Sequence, residues 1–396
     1  MKSLGFLVLV SLTPRLVAAL CECGFAVKGT DDGHGPWLFT NVLESDFTKG
    51  VKVSENKDWV RQQFNVSAKA GRGRYGKSFS LDNILSHDPT VRSQGASALQ
   101  LRVGSMLNKD AVTAAEMDSA RNDLHWGSYR AGMKLTAVNG TCSAFFWYLN
   151  DTQEIDMEFL SHEYDADKGV YPINLAIQSK KSMEAGYDAT RTATYRRVNL
   201  TFDPTAAFHE YRFDYLPGRV AFYADSVKLA EMEGDEMPKT SGHLILQHWS
   251  NGDPMWSGGP PAQDALLTVS YVKAYFNSSD NKASWEERCG QSQGTAICTI
   301  PDVTAANAST GGHFFTDGRS RKEGGEADSG CAGEGGYGLT AMAMATLAML
   351  VNGTGRGGDG RPRKRRQPGG ISPAPRRSPA DLPGTTRGRS RGSGGE

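Results

Sequence analysis

The sequence predicts an all-β protein, a sandwich or barrel of short strands and not a chain of βαβ units. Three observations carry this. His209-Glu210-Tyr211-Arg212-Phe213-Asp214-Tyr215 alternates ring and charge with a period of two. Leu216-Pro217-Gly218 and then Arg219-Val220-Ala221-Phe222-Tyr223 follow it, so a hairpin is expected there. Further apolar or aromatic runs at 144–149, 154–160, 173–178, 244–249 and 266–276 have strand length and turn residues between them. Helical periodicity is nearly absent, with one candidate at 111–120.

The elements follow in chain order. Lys2, an apolar run at 4–12 and the small residues Val17-Ala18-Ala19 read as a secretory signal over 1–20, cleaved before Cys21. Residues 25–95 read as N-terminal strands and loops of the domain that spans 21–298. Residues 299–338, rich in Gly, Ser and Ala, are expected to form a flexible stalk. An apolar stretch at 339–351 resembles a lipid-anchor signal, though 45 residues follow it, or a short membrane segment; either would attach the chain to a membrane, and an imperfectly placed gene end is the third reading. Residues 352–396 are Gly-, Pro- and Arg-rich and are expected to be a disordered basic tail. The 44 basic and 44 acidic residues of the 396-residue chain cancel. The cancellation hides an acidic body and a basic tail, and argues against one large charged binding field.

Seven Asn-x-Ser/Thr sequons, at Asn65, Asn139, Asn150, Asn199, Asn277, Asn307 and Asn352, fit a glycosylated protein outside the cell or in a cell wall. In that compartment the six cysteines, Cys21, Cys23, Cys142, Cys289, Cys298 and Cys331, suggest disulfides. Cys289 with Cys298 is one plausible pair, leaving Cys142 for Cys21 or Cys23, among fifteen pairings that six cysteines allow.

The chemistry sits at Glu154-Ile155-Asp156-Met157-Glu158. On a strand, positions i, i+2 and i+4 face one side, so the three carboxyls project together while Ile155 and Met157 face a core. Three like charges in one stripe repel, and at least one should hold its proton at neutral pH. A protonated carboxyl beside an ionised one is what glycoside cleavage with retention requires. With 44 acidic residues in the chain, chance alone supplies this spacing often enough that context must decide. The context is Ala144-Phe145-Phe146-Trp147-Tyr148-Leu149 just before it, an aromatic strand of the sort that lines sugar sites.

The segment SAFFWYLNDTQEIDMEFLSHE, 143–163, resembles the catalytic segment of glycoside hydrolase family 16. The resemblance extends through Phe202-Asp203-Pro204, the 209–215 strand, Val220-Ala-Phe-Tyr-Ala-Asp225 and His248-Trp-Ser-Asn-Gly-Asp-Pro-Met-Trp256, covering about 25–276 in fungal-type style. It implies a concanavalin A-like β-jelly-roll sandwich with a concave substrate cleft. It also implies Glu154 as nucleophile, Glu158 as general acid/base and Asp156 as the hydrogen-bonding assistant between them. One residue separates Asp156 from Glu158, as in the lichenase and transglycosylase branches. Asp225-Ser226 stands where the family has an Asp-Gly turn, which restricts the backbone there. The implied activity is retaining endo-hydrolysis of a β-1,3(4)-glucan-type cell-wall polysaccharide, with transglycosylation between glucan or chitin chains as the alternative. A catalytically silent sugar-binding sandwich is the reading from another class.

Sugar rings stack on aromatics and hydroxyls need polar partners, so Trp147, Trp249, Trp256, Asn174 and Gln178 are the candidate substrate contacts. No metal ligands with zinc spacing occur, no cofactor is implied, and a structural calcium is neither required nor excluded. Gly71-Arg-Gly-Arg-Tyr-Gly76-Lys77-Ser78 matches a phosphate-loop pattern but lacks the buried strand before it and the helix after it, so it is set aside. Arg363-Lys364-Arg365-Arg366 in a secreted chain does not argue for nucleic acid. The expected partner is therefore polysaccharide, and the expected state is a monomer.

Overall fold

A computed structural model describes residues 21–27, 36–50, 52–86, 98–280, 282–291 and 296–316. The chain divides into two compact units, 1–313 with 368–396, and 314–367. The described residues belong to the first unit except for 314–316. The expected signal at 1–20, the apolar run at 339–351 and the basic tail at 352–396 lie outside the described residues.

Among the described residues two large sheets form the body. The first runs, edge to edge, through Tyr195–Asn199, Pro172–Gln178, Gln153–Leu160, Cys142–Asn150, His243–Trp249, Ala111–Ser119, Gly76–Phe79 and Phe64–Val66. The second runs through Val227–Glu233, Arg219–Ala224, His209–Leu216, Leu124–Lys134, Ala265–Ser278, Leu99–Val103 and Ile84–Leu85. The pairings along both paths are antiparallel except between Gly76–Phe79 and Ala111–Ser119. The fold is the all-β jelly-roll sandwich that the sequence predicts.

Alternation explains the packing. Ile155, Met157 and Phe159 of one sheet meet Tyr211, Phe213 and Tyr215 of the other in a single core. The Gly132/Met133 register shift in the pairing of Leu124–Lys134 with Ala265–Ser278 marks a bulge. It lets Leu267 and Val269 face the core, as do Val272, Ala274 and Phe276 after it. The 111–120 segment is a strand, not the helix its alanines suggest. Ala115 and Met117 join the main core, while Ala114 packs on the opposite face.

The charged face of His209–Leu216 is not solvated. Glu210, Arg212 and Asp214 are buried, as are Arg130 and Lys273 from neighbouring strands. Residues after 299 supply part of the cover, which corrects the expectation of a flexible stalk for their described part. The Pro301 carbonyl accepts from Arg130 at 3.0 Å and the His313 carbonyl from Lys273 at 2.8 Å. Ile300, Val303 and Ala308 are buried with them. Buried cations need acceptors, and this segment brings backbone carbonyls to them. The rest of the expected stalk, 317–338, lies outside the described residues.

The disulfides also differ from expectation. Cys21 pairs with Cys298 and Cys23 with Cys289, while Cys142 is a buried free thiol. The parallel pairing of Gly24–Val27 with Ile297–Thr299 brings the distant ends together, so each N-terminal cysteine finds a C-terminal one. At the Asp225-Ser226 turn both residues have positive φ, 47° and 65°. Asp225 accepts from the Glu210 amide at 2.9 Å and Ser226 Oγ donates to the Val303 carbonyl at 2.8 Å, which holds a conformation that glycine would adopt more readily.

Candidate active site

Strand register builds the site as a lattice of rows across the outer face of the first sheet. Gln178, Glu154, Tyr148 and His243 form one row; Ala176, Asp156, Phe146, Ile245 and Asp118 the next; Asn174, Glu158, Ala144, Gln247 and Glu116 the third. The three carboxyls therefore share one face, as their spacing predicts. A cleft of about 530 Å³, counted with its open mouth, is lined by Glu154, Asp156, Glu158, Phe146, Glu116 and Lys77 among others.

Burial dominates the electrostatics. The acids are 8%, 2% and 3% exposed in chain order, so their charged forms lose most of their hydration. Burial pushes Glu154 up to about 8, with the Glu158 charge adding to it and a hydrogen bond from Asp156 working against it. Burial and the charges of Glu154 and Glu158 drive Asp156 well above the usual carboxylate range. Burial raises Glu158 to about 7, restrained by the Cys142 thiol, the Trp256 indole, Lys77 and Arg72. The thiol donates to Glu158 Oε1 at 3.4 Å. The hydrogen bond between Asp156 and Glu154 raises the first and lowers the second, so Asp156 is the donor and Glu154 the acceptor.

This constellation of a buried acid triad on the cleft face of a β-sandwich coincides with a family match. The model of the glycosyl hydrolases family 16 matches residues 62–273, more than half of the chain. The chain belongs to glycosyl hydrolase family 16. A β-glucanase of Paenibacillus polymyxa is 29% identical over 143 residues, covering 35% of this chain and 53% of its own. A probable xyloglucan endotransglucosylase/hydrolase of Arabidopsis thaliana is 24% identical over 230 residues, covering 54% and 71%. The chain spans about half the length of the bacterial β-glucanases it matches. Among solved structures, the Bacillus licheniformis β-glucanase is 17% identical with a TM-score of 0.44, covering 59% of this chain and 97% of its own.

The structure keeps the three acids on one face and rearranges the expected sugar contacts. Trp147 is in the core, fully buried opposite Ile155, and its indole N–H donates to the Leu124 carbonyl at 2.9 Å. The hairpin pairs Tyr148 with Glu154 and Phe146 with Asp156, so even-numbered positions of the aromatic strand face the cleft and Trp147 faces away. Trp249 and Trp256 lie on the cleft side but are buried in a small cluster with Leu160, Ala176 and Ala189. Trp249 offers its ring to the Lys77 ammonium, 4.2 Å from the centroid. Asn174 stands beside Glu158, but its amide is already engaged by Glu163 at 3.0 Å and by Tyr195 at 2.5 Å, so it positions its neighbours. Gln178 stands beside Glu154, buried, with its amide oxygen unpartnered.

Sequence reasoning missed Phe64, Phe79, Phe146, Tyr148, Glu116, Gln247 and Lys77. The parity of the hairpin would have found Phe146 and Tyr148. Glu116, whose carboxylate accepts from Gln247 Nε2, fell in the segment read as helical.

Proposed function

We infer that the protein is a retaining endo-β-glucan hydrolase of the β-1,3(4) type, acting on a cell-wall polysaccharide. The observation that carries this is the row geometry: three buried carboxyls side by side on one cleft face of a family 16 sandwich. Glu154 attacks the anomeric carbon and Glu158 gives its proton to the leaving oxygen. Glu158 then removes a proton from the water that resolves the glycosyl ester. Asp156 donates to Glu154, which favours its ionised form while substrate binds.

Burial raises both glutamates into the same range, and substrate sets the order that the first step needs. A glycosidic oxygen accepts a hydrogen bond only from protonated Glu158, and the positive charge that develops at the anomeric carbon favours the charge on Glu154. The two carboxyls thus titrate as a pair whose proton location the substrate decides.

Transfer to a sugar hydroxyl in place of water is the second reading. It is favoured by the longer matches to xyloglucan endotransglucosylase/hydrolases. A working place outside the cell is supported by the apolar leader, the sequons and the two disulfides. The test is product analysis by mass on β-1,3-, mixed-linkage and chitin oligomers, with Glu154→Gln as control. Shorter oligomers from the wild type alone support hydrolysis, and longer hybrids support transfer. Undiminished turnover in Glu154→Gln, or binding without any product, contradicts the reading.

A further inference from the structure

The cleft holds a buried cation whose hydrogen-bond donors the triad does not use. Lys77 lines the cleft at 2% exposure. Among the described residues its ammonium has no hydrogen bond to the protein and no ion pair within 4 Å. It lies over the Trp249 ring at 4.2 Å and near Phe79 at 5.8 Å. A buried ammonium ordinarily recovers its lost hydration from protein acceptors, because three unsatisfied N–H donors are costly. Here the aromatic faces hold the charge in place and leave the donors without acceptors.

The glycine-rich segment set aside as a phosphate-loop pattern explains how Lys77 arrives there. The Gly71 carbonyl accepts from Asn251 Nδ2 at 2.8 Å, and the Tyr75 amide donates to the Asn251 carbonyl at 2.8 Å. A Cβ on Gly73 would meet that carbonyl oxygen at 2.4 Å, so only glycine lets the loop close on Asn251. From this anchored loop Gly76–Phe79 enters the sheet and sends Lys77 over Trp249, toward Glu116 and Glu158.

We propose that Lys77 is a substrate-contacting, specificity-determining residue whose ammonium donates hydrogen bonds to hydroxyl oxygens of a neutral sugar unit seated in the cleft beside Glu116 and Gln247. The proposal rests on the glycosidase reading above. Glu116, whose carboxylate already accepts from Gln247, has further oxygen lone pairs to accept from a hydroxyl, so the donor and acceptor needs of a polyol are met together. The cleft lining holds four carboxyl groups, Glu116, Glu154, Asp156 and Glu158, beside Lys77. A sulfated or carboxylated sugar would set its charge against whichever of them is ionised, the attacking Glu154 above all, so the occupant is an uncharged polyol.

The experiment measures kcat/KM for oligosaccharides of the glucan the wild type cleaves best, with each hydroxyl replaced in turn by hydrogen. The wild type and Lys77→Met are compared, with Lys77→Gln as a second variant and thermal melts to confirm folding. For at least one hydroxyl the wild type should lose about ten- to hundredfold, the range for a hydrogen bond to a charged group. The variants should lose a similar factor on the parent sugar and discriminate against that deoxy analogue by no more than about twofold. The same ligands titrated calorimetrically into Glu154→Gln, with and without Lys77→Met, read the contact without turnover. A wild type inactive on every glucan would then count against the proposed function alone. If the variants keep the full wild-type penalty at every hydroxyl, in turnover or in binding, Lys77 touches no sugar and the proposal is overturned.

Discussion

Raising the pH should weaken this fold, and Glu154→Gln should blunt the loss. Burial lifts Glu154 from 4.5 to about 8 in the folded chain. In the unfolded chain the same carboxyl ionises near its ordinary value. Between about pH 5 and 8 the unfolded state has therefore shed a proton that the folded state keeps. For a raised pKa the stabilisation is complete below the unfolded value and is withdrawn as pH climbs through the folded one. Each pH unit in that window removes about 1.4 kcal/mol per such group. From 4.5 to 8 the limit for Glu154 is about 5 kcal/mol, and Glu158 and Glu116, each raised to about 7, act in the same direction. The neutral isostere Gln has no proton to lose. Its stability should fall less steeply between pH 5 and 7, by about 1.4 kcal/mol per unit. Urea unfolding at pH 5, 6, 7 and 8 on both proteins reads the slopes directly. Parallel slopes, or a wild type that gains stability with pH, would refute the claim that this carboxyl is buried neutral.

Two further outcomes follow from the site. Cys142→Ala removes the thiol that donates to Glu158 Oε1, so the ionised form of Glu158 loses support and the alkaline limb of kcat/KM should move up by about half to one pH unit. Cys142→Ser, which keeps a donor, should stay near the wild type, and an unmoved limb in the alanine variant contradicts the role. Phe146→Ala and Trp147→Ala should part company: the first lowers kcat/KM with a smaller stability loss, the second costs about 3–5 kcal/mol of stability while the folded fraction keeps its KM. Equal effects of the two on KM would contradict the face assignment.

The strands at 144–149, 154–160, 173–178, 209–215 and 244–249 were legible because alternation is a local property. So was the acid triad, since i, i+2, i+4 on one strand needs no partner to define it. Trp147 was misassigned because tryptophan suits a core and a sugar platform alike. Only the register to Glu154 decides its face. The strand Ala111–Ser119 hid because both of its faces are covered, with Ala114 on one side and Ala115 and Met117 on the other, which erases the period of two. The burial of Glu210 and Arg212 depends on a segment some ninety residues later in the sequence. The disulfides likewise depend on Gly24–Val27 pairing with Ile297–Thr299, which no local pattern announces.

The double displacement itself is tested most directly by trapping its intermediate. A 2-deoxy-2-fluoro β-glucoside of a matching oligosaccharide, carrying an aryl leaving group, slows both steps and the second more. Peptide mapping by mass spectrometry after incubation should find the fluoroglycosyl ester on Glu154, with no adduct in Glu154→Gln. An adduct on Glu158 or on any other residue of the wild type would contradict the assignment of the nucleophile.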